Sequence, residues 1–282
     1  MVVEKHGHGA GKPVWELESP LRGGLRSIAG AFGRDPDFIV LGAQRAGTTS
    51  LHRWLSGRSD VRMSEPKELH YFDLQLFRGP RWYRSHFLGG RGRLLGEATP
   101  YYLFHPTVPA RISAALPEAR FVVSLRDPVS RAYSQFRHER DLGFEPLESF
   151  EEALALEAER LEGEAERLEA DPAAVSYAHN HFSYFARGRY ASQLERWFAA
   201  VPREQIHVVF AEDMFTAPEA TLGALCDFLG LDRTGCGPLP RMNAASGPKL
   251  SLSTRNELEE RYAADDAALE TLLGRRVPWR SS

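Results

Sequence analysis

The sequence predicts an α/β fold: a central parallel sheet with helices on both faces. Three observations carry that prediction. Short apolar runs recur along the chain, each followed at once by a stretch of helical spacing. The runs are apolar almost throughout rather than alternating, as strands buried on both faces require. The composition can fill such a core: of 282 residues, 43% are hydrophobic and 26% charged, which excludes a chain disordered or collagen-like as a whole.

Residues 1–36 are rich in Gly and Arg and hold no sustained period, so they read as a flexible leader. His6 and His8 within it read as solvent-exposed rather than as metal ligands. Residues 37–282 read as a single domain. FIVLGAQ (Phe38 to Gln44) is a buried strand ending in a turn. GTTSLHRWLSG follows, with Leu51, Trp54 and Leu55 at helical spacing until Gly57 stops the pattern. RFVVSLRDP (Arg120 to Pro128) is a second strand, leading into VSRAYSQFRHER with Ala132, Tyr133 and Phe136 on one helix face. QIHVVFAEDM (Gln205 to Met214) is a third, followed by the helix PEATLGALCDFLG. Between the second and third lies FEEALALEAERLEGEAERLEAD, whose helix formers predict one acidic, solvated helix packed on the sheet. Nothing repeats at a solenoid period.

Lys plus Arg number 35 against 38 Asp plus Glu, a net charge of −3. This argues against broad binding to nucleic acid or an anionic membrane, while leaving room for a local basic pocket. No apolar run reaches the ~18 residues of a membrane span, and the first residues lack the apolar stretch of a signal peptide. Two cysteines, Cys226 and Cys236, are too few for a disulfide framework. A reduced, cytoplasmic protein is the expectation. Cys226, among Leu222, Leu225 and Leu229, reads as a buried small hydrophobe.

The sharpest motif is Gly42-Ala-Gln-Arg-Ala-Gly47-Thr48-Thr49. A glycine-rich turn between strand and helix offers backbone N–H groups and the positive end of a helix dipole to phosphate or sulfate oxygens. Its spacing follows G-x-x-x-x-G-K-[ST], but Thr48 stands where the lysine of a triphosphate-hydrolysing loop belongs, and Arg45 places a cation earlier in the loop. Arg126 follows directly on the second strand, at the carboxyl end where doubly wound sheets bind ligands. Ser134 shares a helix face with Ser130 and Arg137. A guanidinium with a hydroxyl at such a place suits a dianionic phosphate.

The segments FIVLGAQRAGTTSL, EPKELHYFD, GEATPYYLF, FVVSLRDPVSRAYSQF and RGRYASQLERWF, in this order, resemble the sulfotransferases that use 3′-phosphoadenosine 5′-phosphosulfate (PAPS). The likeness is greatest to the heparan sulfate N- and 3-O-sulfotransferase branch and runs from Phe38 to about Leu252. It implies a P-loop-like three-layer fold and sulfuryl transfer from PAPS, with PAP as product, to a hydroxyl or amine of a carbohydrate or small hydroxylated metabolite. Arg45, Ala46, Gly47, Thr48, Thr49 and Ser50 would hold the 5′-phosphosulfate, and Arg126 with Ser134 the 3′-phosphate. Lys249, in Ser246-Gly-Pro-Lys249, matches a basic residue set against that phosphate, and Tyr190 a residue of the active-site wall.

Sulfuryl transfer asks for a cation beside the bridging oxygen and a base beside the acceptor. Glu97, in the pattern E-x-[ST]-x-x-Y, is the base that the resemblance implies; a carboxyl at a strand end beside aromatics can titrate high. Arg45 stays protonated and cannot donate a proton; Lys67 in EPKELHYF, which the resemblance matches to a lysine reaching the reaction centre of the 3-O-sulfotransferases, is expected to supply the mobile charge. His70 reads as part of an aromatic cluster. No spacing of metal ligands stands out, and no catalytic metal is expected. The rival readings are a kinase with a degenerate loop and a non-catalytic phosphoadenosine- or glycan-binding protein.

Overall fold

A computed structural model describes residues 26, 28–234, 239 and 249–280. Its centre is a five-stranded, all-parallel sheet in the order β2-β3-β1-β4-β5. The strands are β1 (Phe38–Gly42), β2 (Val61–Met63), β3 (Leu94–Ala98), β4 (Arg120–Leu125) and β5 (Ile206–Phe210). Both faces are covered, as the apolar runs demanded. Phe38 and Val40 of β1 join a core with Leu51, Trp54, Leu222 and Leu225 on one side. Ile39 and Leu41 join Tyr83, Tyr102, Leu194 and Trp197 on the other.

The helices that shape the site are α1 (Thr48–Ser56), α2 (Gly79–Arg84), α3 (Val108–Ala115) and α4 (Pro128–Asp141). They are followed by α5 (Phe150–Leu161), α6 (Glu164–Ala170), α7 (Tyr177–His181) and α8 (Tyr190–Ala200). After β5 come α9 (Ala211–Thr216), α10 (Pro218–Leu229) and α11 (Leu252–Leu273). Three predicted strand–helix units are present, with the strands shorter than the apolar runs: β1 stops at Gly42 and β5 gives way to α9 at Ala211. The single acidic helix expected at 150–171 is two, because Gly163 takes φ +71° and turns the chain between α5 and α6.

The leader expectation also needs correcting where residues are described. Gly30–Phe32 form a turn against α2, so close that a Cβ at Gly30 would lie 1.7 Å from the Arg81 carbonyl oxygen. Asp35 holds Arg84 through two bonds of 2.8 Å. His6, His8, Cys236 and the Ser246-Gly-Pro stretch lie outside the described residues.

The sheet order reverses direction at β1, which lies between β3 and β4. Crevices at such a switch point, beyond the carboxyl ends of the strands, are where open α/β sheets bind ligands. The loops after β1 and β4 meet there.

Candidate active site

Residues 43–47 turn the chain from β1 into α1. Gly42 is required at the turn: its φ is +150°, and a Cβ would lie 2.8 Å from the Pro100 carbonyl oxygen and 2.9 Å from Leu103 Cβ. Gly47, at φ +84°, enters α1 with no side chain capping the helix. The first-turn N–H groups therefore have no intrahelical partner and carry the positive end of the helix dipole. Ser124 of β4 braces the loop, its hydroxyl donating to the Ala46 carbonyl at 2.5 Å and its carbonyl accepting from Ala43 N–H at 2.6 Å.

Three residues singled out from far apart in sequence converge on this loop. Arg45 Nε donates to Ser134 Oγ at 2.9 Å, and Arg126 Nη1 donates to the Arg45 carbonyl at 3.1 Å. Burial and then the neighbouring Arg126 lower the Arg45 pKa, against the pull of Glu139 and Asp141. Two guanidiniums held this close repel each other, which is an arrangement that an anion relieves. Thr48, Ser50 and Ala46 are buried beneath the loop, with Gly47 and Thr49 partly exposed.

Tyr190 is 1% exposed, so its ring belongs to the core; its hydroxyl donates to the Arg126 carbonyl at 2.9 Å and so fixes where β4 ends. It does not line the crevice as a wall. Lys249 is described and exposed, with no bond to Arg126 or Ser134. The basic residue that does reach this end from the C-terminal segment is Arg255 of α11. It donates to Asp127 Oδ2 at 3.2 Å and to Ser130 Oγ at 3.0 Å. Asp127 caps α4 at the same point, accepting from Val129 and Ser130 N–H.

Glu97, the residue expected to act as base, is closed off. Glu97 lies on β3, in register with Ile39 of β1, and is 0% exposed. Both its oxygens are taken: Tyr83 donates its hydroxyl to Oε1 at 2.7 Å, and Thr99 donates to Oε2 at 3.2 Å. Burial raises its pKa to about 7, against those two bonds. The predicted upward shift is there, but an enclosed, doubly bonded carboxyl has no face to offer an acceptor.

Glu68 offers one. Its side chain is 40% exposed, its carboxylate bonded to the Lys67 ammonium through Oε1 and 3.6 Å from His70 Nε2 through Oε2. His70 Nδ1 in turn meets the buried Asp73 Oδ2 at 2.7 Å. Burial opposes charge on Glu68, but His70 and Lys67 outweigh it and hold its carboxyl well below the usual range. Burial likewise opposes charge on His70, yet Asp73 and Glu68 push it up to about 10, so it is a cation at neutral pH. His70 is thus part of a charge chain rather than a packed aromatic. Across the crevice stands His138 of α4; burial and then Arg45 lower its pKa, while Glu139 and Glu68 pull the other way.

Backbone geometry marks the same residues. Among the described residues, the non-glycine residues with positive φ are Arg45 (67°), Glu68 (65°) and His70 (51°). Such conformations persist only where the surroundings enforce them, and all three lie in this crevice. In EPKELHYFD nothing in the sequence marks Glu68, because a glutamate beside a lysine gives no hint of its backbone. Among the described residues, no group of three or more His, Cys, Asp or Glu is arranged to hold a metal ion, and no helix is long and apolar enough to cross a membrane.

A family model described as a sulfotransferase domain matches residues 35–241. The chain is 25% identical over 314 residues to the membrane-associated sulfotransferase kil1 of Dictyostelium discoideum, covering 87% of this chain and 67% of that protein. It is 32% identical over 201 residues to human heparan sulfate glucosamine 3-O-sulfotransferase 3B1, covering 70% of this chain and 47% of that protein. A bovine bifunctional heparan sulfate N-deacetylase/N-sulfotransferase 2 matches at 29% over 210 residues, 70% of this chain but only 22% of that protein. Among solved structures, a sulfotransferase from Alicyclobacillus acidocaldarius superposes with a TM-score of 0.70 at 30% identity, covering 88% of this chain and 100% of that one.

Proposed function

The chain belongs to the sulfotransferase family, and from that premise we propose that it moves a sulfuryl group from PAPS to a hydroxyl or amine, with Glu68 rather than Glu97 as the base. The observation that carries this reading is the crevice itself: Arg45, Arg126 and Ser134 bonded together at the strand ends, and a partly exposed carboxylate held between two cations, with His138 within reach of both Arg45 and Glu68. The donor's 3′-phosphate would lie against Arg126 and Ser134, with Arg255 nearby. Its 5′-phosphosulfate would lie on the amides of residues 45–50 and on Arg45. These groups fit a polyanion: amides of an uncapped helix and two guanidiniums that otherwise repel.

The acceptor oxygen or nitrogen attacks sulfur as its proton passes to Glu68. The bond between sulfur and the bridging oxygen breaks, leaving PAP and the sulfated acceptor. Charge gathers on that bridging oxygen, where Arg45 and Lys67 would stabilise it. A carboxylate flanked by Lys67 and His70 is a weak base as it stands. Lys67 turning from Glu68 toward the donor would supply the cation and strengthen the base in one movement. The protonated His70, backed by Asp73, keeps the second oxygen of Glu68 aimed.

A carbohydrate or a small hydroxylated metabolite is the acceptor class we propose. The kinase reading has no support in the loop, where Thr48 replaces the lysine that grips a triphosphate. The test is direct: incubate the protein with PAPS and a panel of sugars and hydroxylated or amine-bearing metabolites, and follow added sulfate by mass spectrometry. Transfer that needs PAPS and fails in Glu68→Gln is expected. Transfer undiminished in that variant would remove the base assignment, and no transfer with PAP bound would favour the non-catalytic reading.

A further inference from the structure

A chain of four polar side chains ties the phosphate loop to the wall beside it, and we propose that Glu139, at its centre, is a positioning residue for the sulfuryl group of the donor. The proposal rests on the donor reading above. Glu139 lies on α4, five residues beyond Ser134, and is 2% exposed. Its Oε1 accepts from Gln44 Nε2 at 3.0 Å, and its Oε2 meets His181 Nδ1 at 2.8 Å. The other end of the Gln44 amide is also occupied: Oε1 accepts from Arg187 Nη1 at 2.5 Å. Arg187, 3% exposed, is itself held by the Asn180 carbonyl at 2.5 Å and lies over the rings of Tyr101 and Phe104.

A cation on one end and a carboxylate on the other leave the Gln44 amide a single orientation. Gln44 immediately precedes Arg45, whose φ of 67° an unrestrained arginine seldom adopts. Clamping Gln44 at both ends holds the loop backbone at the point where the Arg45 side chain departs for Ser134. Glu139 also places a negative charge beside Arg45 and offsets the repulsion from Arg126. On the far side, His181 packs against Phe144 and the half-exposed Tyr177, with ring centroids 4.3 and 4.5 Å away. That wall fixes Glu139 in place, so its hold on Gln44 does not depend on the donor.

Glu139 does not touch the proposed 3′-phosphate ligands, Arg126 and Ser134. Its effect therefore falls on the end of the donor next to Gln44 and Arg45, which is the end that carries sulfate. Loss of the carboxylate should weaken the grip on the extra sulfuryl group of PAPS more than on the 5′-phosphate, which PAP keeps on the same loop amides. A residue with only a structural role would weaken both nucleotides together.

The experiment compares PAPS and PAP binding by titration calorimetry, with melting temperatures, for the full chain, Glu139→Gln, Gln44→Leu and the double variant. In each single variant the ratio of PAPS to PAP affinity is expected to fall about tenfold, with PAP within about threefold of the parent. The double variant should fall no more than about twofold beyond the worse single one, since both break one chain. Gln44→Leu carries the test if Glu139→Gln fails to fold. An unchanged ratio, a parallel loss of both nucleotides, or losses that multiply in the double variant would each overturn the proposal. A parent protein that binds no PAP would overturn the donor reading instead.

Discussion

Two carboxylates lie close to the same crevice and meet opposite fates. Glu97 sits on a central strand, sealed by Tyr83 and Thr99, with a pKa near 7. Glu68 sits on a loop in left-handed backbone, open to the crevice and kept ionised by Lys67 and His70. A raised pKa and a catalytic role are therefore separate properties. Desolvation raises a carboxyl wherever it is buried, whereas a base must also present an oxygen to its substrate.

The largest expected effect separates the two directly. Glu68→Gln should lower kcat for sulfate transfer by about 10²- to 10⁴-fold with PAP affinity little changed by calorimetry. Glu97→Gln should retain kcat within about tenfold. If the two variants exchanged effects, the base would return to Glu97.

The next effect is on stability. The folded pKa of Glu97 is raised from 4.5 to about 7. The native state therefore binds this proton more tightly than the unfolded chain does. The resulting stabilisation is full below pH 4.5 and lost as pH rises through about 7, on the order of 3 kcal/mol. Urea unfolding at pH 5 and pH 8 should show this loss in the parent and not in Glu97→Gln; equal slopes in both would show that Glu97 is not enclosed as described.

At the donor end, Arg126→Ala should weaken PAP about ten- to a hundredfold, the worth of a charged hydrogen bond, while leaving the stability difference between Glu97 and its variant intact. Calorimetry reads the first and urea unfolding the second. Glu68→Gln combined with Arg126→Ala should then separate binding from chemistry, the arginine moving PAP affinity and the glutamate moving kcat.

The smallest effect near neutral pH belongs to His70. Its folded pKa is raised from 6.5 to about 10, so its stabilisation is complete below pH 6.5 and lost as pH rises through about 10. The melting temperature should decline toward pH 10 in the parent and stay flatter in His70→Gln. A profile identical in both proteins would detach His70 from the Glu68 and Asp73 pair.

Much of this was legible in the residues. The strand–loop–helix around Gly42 to Ser50, the strand before Arg126 and the helix carrying Ser134 all announced themselves by apolar runs and spacing. Other parts were hidden by polar residues placed on buried faces. The 22-residue α11 buries Thr254, Leu258, Tyr262, Asp266 and Leu269; a threonine and an aspartate interrupt the apolar stripe that would have revealed it. The three-residue β2 is too short to show any period. Arg255 and Glu139 gave no local signal, because their meaning depends on what lies opposite them.

The sheet, its helical cover, the phosphate-cradling loop and the family could be read along the chain, because each rests on patterns within a few dozen neighbouring residues. Which carboxylate is left partly open, that Lys67 and His70 flank Glu68, and that Gln44 is clamped by Glu139 and Arg187 emerge only once the chain is folded. Those outcomes depend on burial and on partners from 1 to 143 positions away in sequence. Exposure and electrostatic neighbourhood are properties of packing, and no spacing along the chain records them.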